Sequence, residues 1–229
     1  MANAVPPANH SPGLMIRYGR LLRRRWRQWR GRWRASRVRF VYHDGYAQVV
    51  AGTPMDPLRG QKIIALLEDE GLLDGDDVSV PRRPALRSLL RVHRPEYLES
   101  LGLDPTVTER IFGERLGDDV VERLVELQRL ATGGTIQATR LALQSRSTAV
   151  NLGGGFHHAS RDRGLGFCIF NDIAVAVTRL RAKGFKEPIL VVDLDIHDGN
   201  GTREIFAHDS TVYTYSVHNQ HWGPTEAVA

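Results

Sequence analysis

The stretch Ile189-Leu190-Val191-Val192-Asp193-Leu194-Asp195-Ile196-His197-Asp198-Gly199-Asn200-Gly201 constrains this chain more than any other. Four apolar residues ahead of Asp193 predict a buried parallel strand over Ile189–Asp193, and the glycines after His197 predict a tight exit loop. Chemistry in open parallel sheets gathers where strands end at their carboxyl termini. On an extended backbone Asp193, Asp195 and His197 point to one side. Carboxylate and imidazole together suit zinc, and would also accept iron or manganese. A second polar cluster, Gly153-Gly154-Gly155-Phe156-His157-His158, lies about forty residues earlier. Its glycines let backbone approach a substrate closely, and adjacent imidazoles suit proton transfer. Each motif also has a plainer reading: a solvated strand-end turn for Asp-x-His, and capping or packing for His-His.

The net charge of +5 belongs to one segment. Residues 17–39 hold eleven arginines and no acid, and Asp44 is the first acid in the chain. Setting those eleven aside from 31 basic residues leaves 20 against 26 acids, a balance of −6. Within this segment Tyr18, Leu22, Trp26, Trp29 and Trp33 recur at helical spacing. Two readings stand for residues 14–37: a basic amphipathic helix meeting an anionic membrane or a nucleic acid, or an unstructured extension. The single cysteine, Cys168, excludes an internal disulfide and fits a reducing, cytoplasmic compartment. Packing as a small buried apolar residue is its expected role. No apolar run is long enough for a transmembrane helix, and no cleavable leader is expected.

Residues 1–37 are read as a disordered, basic extension and 38–229 as one domain. Its expected elements are a strand at Val38–Tyr42, a helix from Pro57 to about Glu70, and short helices at Ala85–Leu90, Pro95–Leu101 and Pro105–Gly113. A long helix follows over Asp118–Gln144, interrupted at Thr132-Gly133-Gly134. Then come a strand at Ala149–Leu152, a helix over Asn171–Lys183, the Ile189–Asp193 strand, a short helix at Thr202–Phe206 and a strand at Thr211–Ser216. Alternation of strands and helices predicts an α/β fold with a mainly parallel sheet in a three-layer αβα arrangement.

Taken together, Gly-Gly-Gly-Phe-His-His-Ala, the run Gly166-Phe167-Cys168-Ile169-Phe170-Asn171-Asp172 and Val-Asp-Leu-Asp-Ile-His-Asp-Gly-Asn-Gly-Thr resemble the histone deacetylase superfamily. Thr132–Thr135 and Ser160–Gly164 lean toward its bacterial and class IV-like branch. The resemblance runs from about Val41 to Ala229. It implies the arginase/deacetylase fold and a zinc-dependent amidohydrolase acting on acetyl- or longer acyl-lysine. In that scheme Asp195 and His197 are two of three zinc ligands, with Fe2+ as an alternative metal. His157 is held by Asp193, and His158, the general base and acid, is held by Asn200. Gly155, Gly166 and Phe167 border the substrate, and Arg59 is an interior arginine near an acetate exit. A structural K+ site maps to Asp193, Asp195, His197, Ser216 and Val217. Metal-polarised amide hydrolysis fits this set, because bound water falls in pKa from about 15.7 to near 7.

The chain departs from the family pattern in two places. The third zinc ligand, the oxyanion-stabilising tyrosine and the last strands lie downstream in relatives, so the domain reads as incomplete at its C-terminus, with an open sheet edge and exposed apolar surface. Pro95 stands where many relatives carry an acid for the substrate backbone, with Glu96 beside it. Acetylpolyamines and other small acylated amines therefore remain open as substrates. So does a catalytically inactive form, or a binding module held to its partner by the Arg/Trp segment. His43, His93, His208, His218 and His221 carry no assignment, the last two being expected near the rim of the site.

Overall fold

The computed structural model of the protein describes residues 21–22, 25–26, 38–47, 56–73 and 75–221. Most of the Arg/Trp-rich segment lies outside these. Of it, Leu21, Leu22, Arg25 and Trp26 are helical and exposed. The described chain runs through five strands, β1 (Arg39–Val41), β2 (Val78–Ser79), β3 (Ala149–Asn151), β4 (Ile189–Asp193) and β5 (Val212–Ser216). Seven helices accompany them: α1 (Arg59–Asp69), α2 (Leu86–Leu89), α3 (Pro95–Ser100), α4 (Pro105–Phe112), α5 (Asp118–Ser145), α6 (Asp172–Arg181) and α7 (Asn200–Phe206).

Local chemistry sets several of these boundaries. Asp104 caps α4 by accepting the Thr106 amide hydrogen at 2.9 Å, Pro105 occupies the first turn where no amide donor is needed, and Gly113 leaves the helix at φ +79°. Asn171 caps α6 through the Ala174 amide.

Every strand pairing is parallel, as an α/β chain requires. Among the described residues the strands form two sheets rather than the single sheet expected. β1 lies between β2 and β3, with Val41 opposite Ser79 and Asn151. β4 pairs with β5 in register from Ile189↔Val212 to Asp193↔Ser216. Among the described residues β3 and β4 each pair on one side only. Leu152 and Gly153, just past β3, face Val191, Val192 and Asp193 of β4 across an open cavity. β2, a strand the sequence pattern did not reveal, is two residues long and owes its existence to β1.

α5 packs along α6, β3 and β1, and α7 lies against β5. One core cluster gathers Leu89, Tyr97, Ile111, Phe170, Val175 and Phe206. A smaller one holds Tyr42, Tyr46, Leu130, Phe156 and Cys168. By contrast Leu190, Val192, Tyr213 and Tyr215 are all more than half exposed, so one face of the β4–β5 ladder stands uncovered.

The interruption expected at Thr132-Gly133-Gly134 is absent, and α5 runs unbroken for 28 residues. The glycines serve packing instead. A Cβ on Gly133 would lie 2.0 Å from the Arg82 carbonyl oxygen, and one on Gly134 would lie 2.3 Å from the Tyr46 hydroxyl. The helix is thinned there so that neighbouring chain can press against it.

His93 is 1% exposed and joins two loops. Its Nδ1–H donates to the Ser160 carbonyl at 2.8 Å, and its Nε2 accepts the Asn171 amide hydrogen at 3.1 Å. Only the neutral ring satisfies both bonds. Burial drives its pKa down to about 4, against the opposing pull of the Ser160 bond.

Two outcomes follow from this packing. Helix propensity alone would make G133A stabilising by about 1 kcal/mol, but the clash with backbone predicts a loss of about 1–3 kcal/mol in urea denaturation. His93 binds a proton in the unfolded chain near pH 6.5 but not in the folded one until about pH 4. Its contribution to stability is therefore complete above pH 6.5 and declines as pH falls toward 4, by roughly 3 kcal/mol. Denaturation curves between pH 7 and 4 should show this component, and H93Q should lack it.

Candidate active site

The glycine-rich loop after β3 is held from beneath by Asp172, a carboxylate with no solvent exposure at the start of α6. Asp172 accepts amide hydrogens from Phe156 at 2.7 Å and Gly155 at 3.1 Å, and the Thr135 hydroxyl of α5. Asn151 donates through Nδ2 to the Ala131 carbonyl and to the Thr135 hydroxyl, both at 2.9 Å. The loop that carries the two histidines is thereby tied to β3, α5 and α6 at once.

The tandem imidazoles are both buried, with ring centroids 4.1 Å apart. His157 donates from Nδ1 to Asp193 Oδ2 at 2.6 Å, and His158 donates from Nδ1 to Asn200 Oδ1 at 2.8 Å. Both pairings are those implied by the resemblance. Holding the proton on Nδ1 leaves Nε2 of each ring as the nitrogen suited to proton transfer. Burial lowers the His158 pKa, assisted by the charges of His157 and His197 and opposed by the Asn200 bond. The ring therefore favours its neutral, basic form at neutral pH.

Asp195 and His197 lie together in a bend after β4 ends at Asp193, not on the extended strand that their spacing assumed. His197 Nδ1 lies 2.9 Å from Asp195 Oδ1, and His157 Nε2 lies 3.9 Å from the same oxygen. Both side chains are about half exposed. Burial raises the Asp193 and Asp195 carboxyl pKa values, but hydrogen bonds outweigh it and leave both lowered. For Asp193 the donors are His157 and the Asp195 amide, and for Asp195 the His197 amide and ring. Two ionised carboxylates beside a pair of imidazoles make an electron-rich strand end, a donor set that fits a divalent cation. Nearby, β4–β5 pairing sets Ser216 opposite Asp193, and the Val217 amide donates to the Asp193 carbonyl at 3.0 Å.

His157, His158, Asp193, Asp195 and His197 line one cavity of about 610 Å3. Its wall includes Gly166 and Phe167. Gly166, at φ +54°, has no room for a side chain, since a Cβ would lie 2.4 Å from the His158 ring. Phe167 is itself left-handed at φ +66°, a strained conformation for a bulky residue. Two bonds hold it there: its amide donates to the Ile111 carbonyl at 2.9 Å, and Gln128 Nε2 donates to its carbonyl at 2.6 Å. Its ring meets Phe112 at 6.2 Å. Arg59 lines the same cavity but is exposed at the first turn of α1, so it stands at the rim and not in the interior. Only Gly60 of that helix is buried, which leaves the Arg59 side chain outside the core. Glu96 is exposed on α3 and does not line the cavity. Cys168 is buried, and its thiol pKa is pushed up to about 12.

Asp172, Thr135, Gln128 and Phe112 were not singled out by sequence reasoning. Asp172 alone carried a legible cue, since it closes the Gly-Phe-Cys-Ile-Phe-Asn-Asp run.

Residues 53–226 match the histone deacetylase domain family. An uncharacterised protein of Picosynechococcus sp. is 37% identical over 182 residues, covering 78% of this chain and 59% of that protein. Histone deacetylase 2 of Arabidopsis thaliana is 32% identical, and the acetoin utilization protein AcuC of Staphylococcus aureus 30% identical. Each match covers 80% of this chain and 49% of the relative. Among solved structures, a histone deacetylase homologue from Aquifex aeolicus aligns with TM-score 0.68 at 27% identity, covering 80% of this chain and 51% of that one. The chain thus spans about half the length of the curated relatives it matches. On the family match, with an α/β fold of parallel strands to accompany it, the chain belongs to the histone deacetylase family.

Proposed function

We propose that this chain carries the proton-transfer half and part of the metal-binding half of a zinc-dependent deacetylase, acting on the amide of acetyl- or longer acyl-lysine in proteins. One observation carries the reading. Two imidazoles, each fixed through Nδ1, stand 4.1 Å apart in the same cavity as a carboxylate oxygen and an imidazole nitrogen 2.9 Å from each other. Asp195 and His197 would hold Zn2+, or Fe2+ in its place. Further ligands would come from polypeptide of the kind that the relatives carry beyond the matched half. The metal supplies carbonyl polarisation and a more acidic water. A structural K+ would sit among Asp193, Asp195, His197, Ser216 and Val217.

The chain's own residues supply the proton handling. His158, kept neutral by burial, takes the proton of the attacking water at Nε2 and delivers it to the departing amine nitrogen. Asn200, a neutral partner, orients His158 and only partly offsets the lowering of its pKa by burial. Asp193 accepts from His157 Nδ1 and fixes the orientation of that ring. Two histidines, one with an anionic partner and one with a neutral one, thus stand side by side. Phe167 and Gly166 line a narrow passage for an aliphatic stem, and Gly155 borders it. Arg59, at the rim, would meet product or solvent. The exposed position of Glu96 away from the cavity keeps acetylpolyamines and other small acylated amines as an alternative substrate class. A lone buried thiol accords with a cytoplasmic location. An inactive form, or a binding module targeted by residues 14–37, is the remaining alternative.

The test compares the 229-residue chain alone with the same chain joined to the polypeptide encoded after it, using zinc analysis and a fluorogenic acetyl-lysine peptide. Zinc-dependent hydrolysis by the longer form is expected, and a zinc-loaded longer form without hydrolysis would defeat the proposal. In the active form H158A should lower kcat by about 10²–10⁴. D195N should lower the bound zinc itself, read by metal analysis after dialysis.

A further inference from the structure

We propose that Asp198, His218 and His221 form a second divalent-metal site, distinct from the Asp195–His197 pair. The fold brings them together for a simple reason. β4 and β5 are parallel and paired in register up to Asp193↔Ser216, so the chain leaves both strands at the same end. Asp198 lies in the loop that leaves β4, and His218 and His221 in the segment that leaves β5. One ligand atom from each of the three lies within 4.8 Å of the others. His221 Nδ1 is 3.3 Å from Asp198 Oδ2, and His218 Nδ1 is 3.8 Å from Asp198 Oδ1. The two rings are 6.1 Å apart. Ligand atoms around a tetrahedral zinc with bonds of about 2.1 Å are separated by about 3.4 Å. A contraction of roughly 1 Å would therefore complete the shell.

The chemistry of the cluster points the same way. Two imidazoles with one carboxylate are a donor set for Zn2+ or Fe2+. Asp198 is fully buried and ion-paired with Arg203. His221 offers a buried Nε2 that has no hydrogen-bond partner among the described residues. The Ser216 hydroxyl lies 2.8 Å from His218 Nδ1 and orients that ring, as outer-shell groups do around metal ligands. Arg203 also grips Asp198, with Nη1 at 2.5 Å and Nη2 at 2.8 Å from its two oxygens. The guanidinium charge does weaken the site relative to a closed structural zinc cage. The three ligands of the inferred site are none of those assigned to the proposed reaction, although Ser216 is shared with the proposed K+ site.

The experiment uses the full chain carrying D195A and H197A, stripped of metal. Zn2+ is titrated by calorimetry and Co2+ by visible absorption, while imidazole NMR signals are followed. One equivalent should bind, with the ring signals of His218 and His221 shifting together. Adding H221A or H218A should weaken binding by about tenfold or more, with unchanged far-UV circular dichroism. His221 is a third exposed beyond the last strand, so its replacement leaves the core intact. No saturable binding in the D195A/H197A background would overturn the proposal. So would binding that leaves the His218 and His221 signals unmoved, or binding that is indifferent to H221A.

Discussion

The buried carboxylate of Asp172 holds together what the active cavity needs. It has no contact with solvent, yet it accepts two backbone amides of the histidine loop and the Thr135 hydroxyl. A loop that begins with three glycines has little conformational preference of its own. Its position comes from outside, from an acceptor fixed at the first turn of α6 and a hydroxyl fixed in α5. The position of His157 and His158 therefore rests on a buried carboxylate one layer below.

Asp193 occupies a comparable position at the end of β4. Its side chain meets His157 and the Asp195 amide, while its backbone carbonyl accepts the Val217 amide from the segment after β5. One residue thereby couples the imidazole tandem, the Asp195–His197 pair and the second strand of the ladder. His158, by contrast, has the uncharged amide of Asn200 as its partner. The difference between the two partners separates the roles of two otherwise adjacent rings.

Features carried by consecutive residues were legible from the sequence. The β4 strand, the helix boundaries at Asp104 and Asn171, and the pairing of Asp195 with His197 all depend on neighbours a few positions away. The parallel α/β character followed from the alternation of elements. What escaped notice depends on partners far along the chain. His93 contacts Ser160 and Asn171, and Gln128 bridges Phe167 and Ile169, across spans of 39 to 78 residues. Gly133 and Gly134 suggested a helix break because glycine is a poor helix former, but the approach of Arg82 and Tyr46 makes them necessary in an unbroken one. The division into two ladders was equally hidden, since strand order is a property of the whole sheet. The Arg/Trp-rich segment lies almost entirely outside the described residues, so its two readings stand as they were.

The uncovered face of the β4–β5 ladder has a consequence for how such a chain behaves before its fold is complete. Leucine and valine on one strand stand beside two tyrosines on the next, forming a small adhesive plane directly beneath the catalytic end of the sheet. Such a plane calls for something to cover it. Until something does, the same strands that aim Asp193 and Asp195 are open to collision with other nascent chains, and the capacity for chemistry and the hazard of self-association arise from one pair of strands.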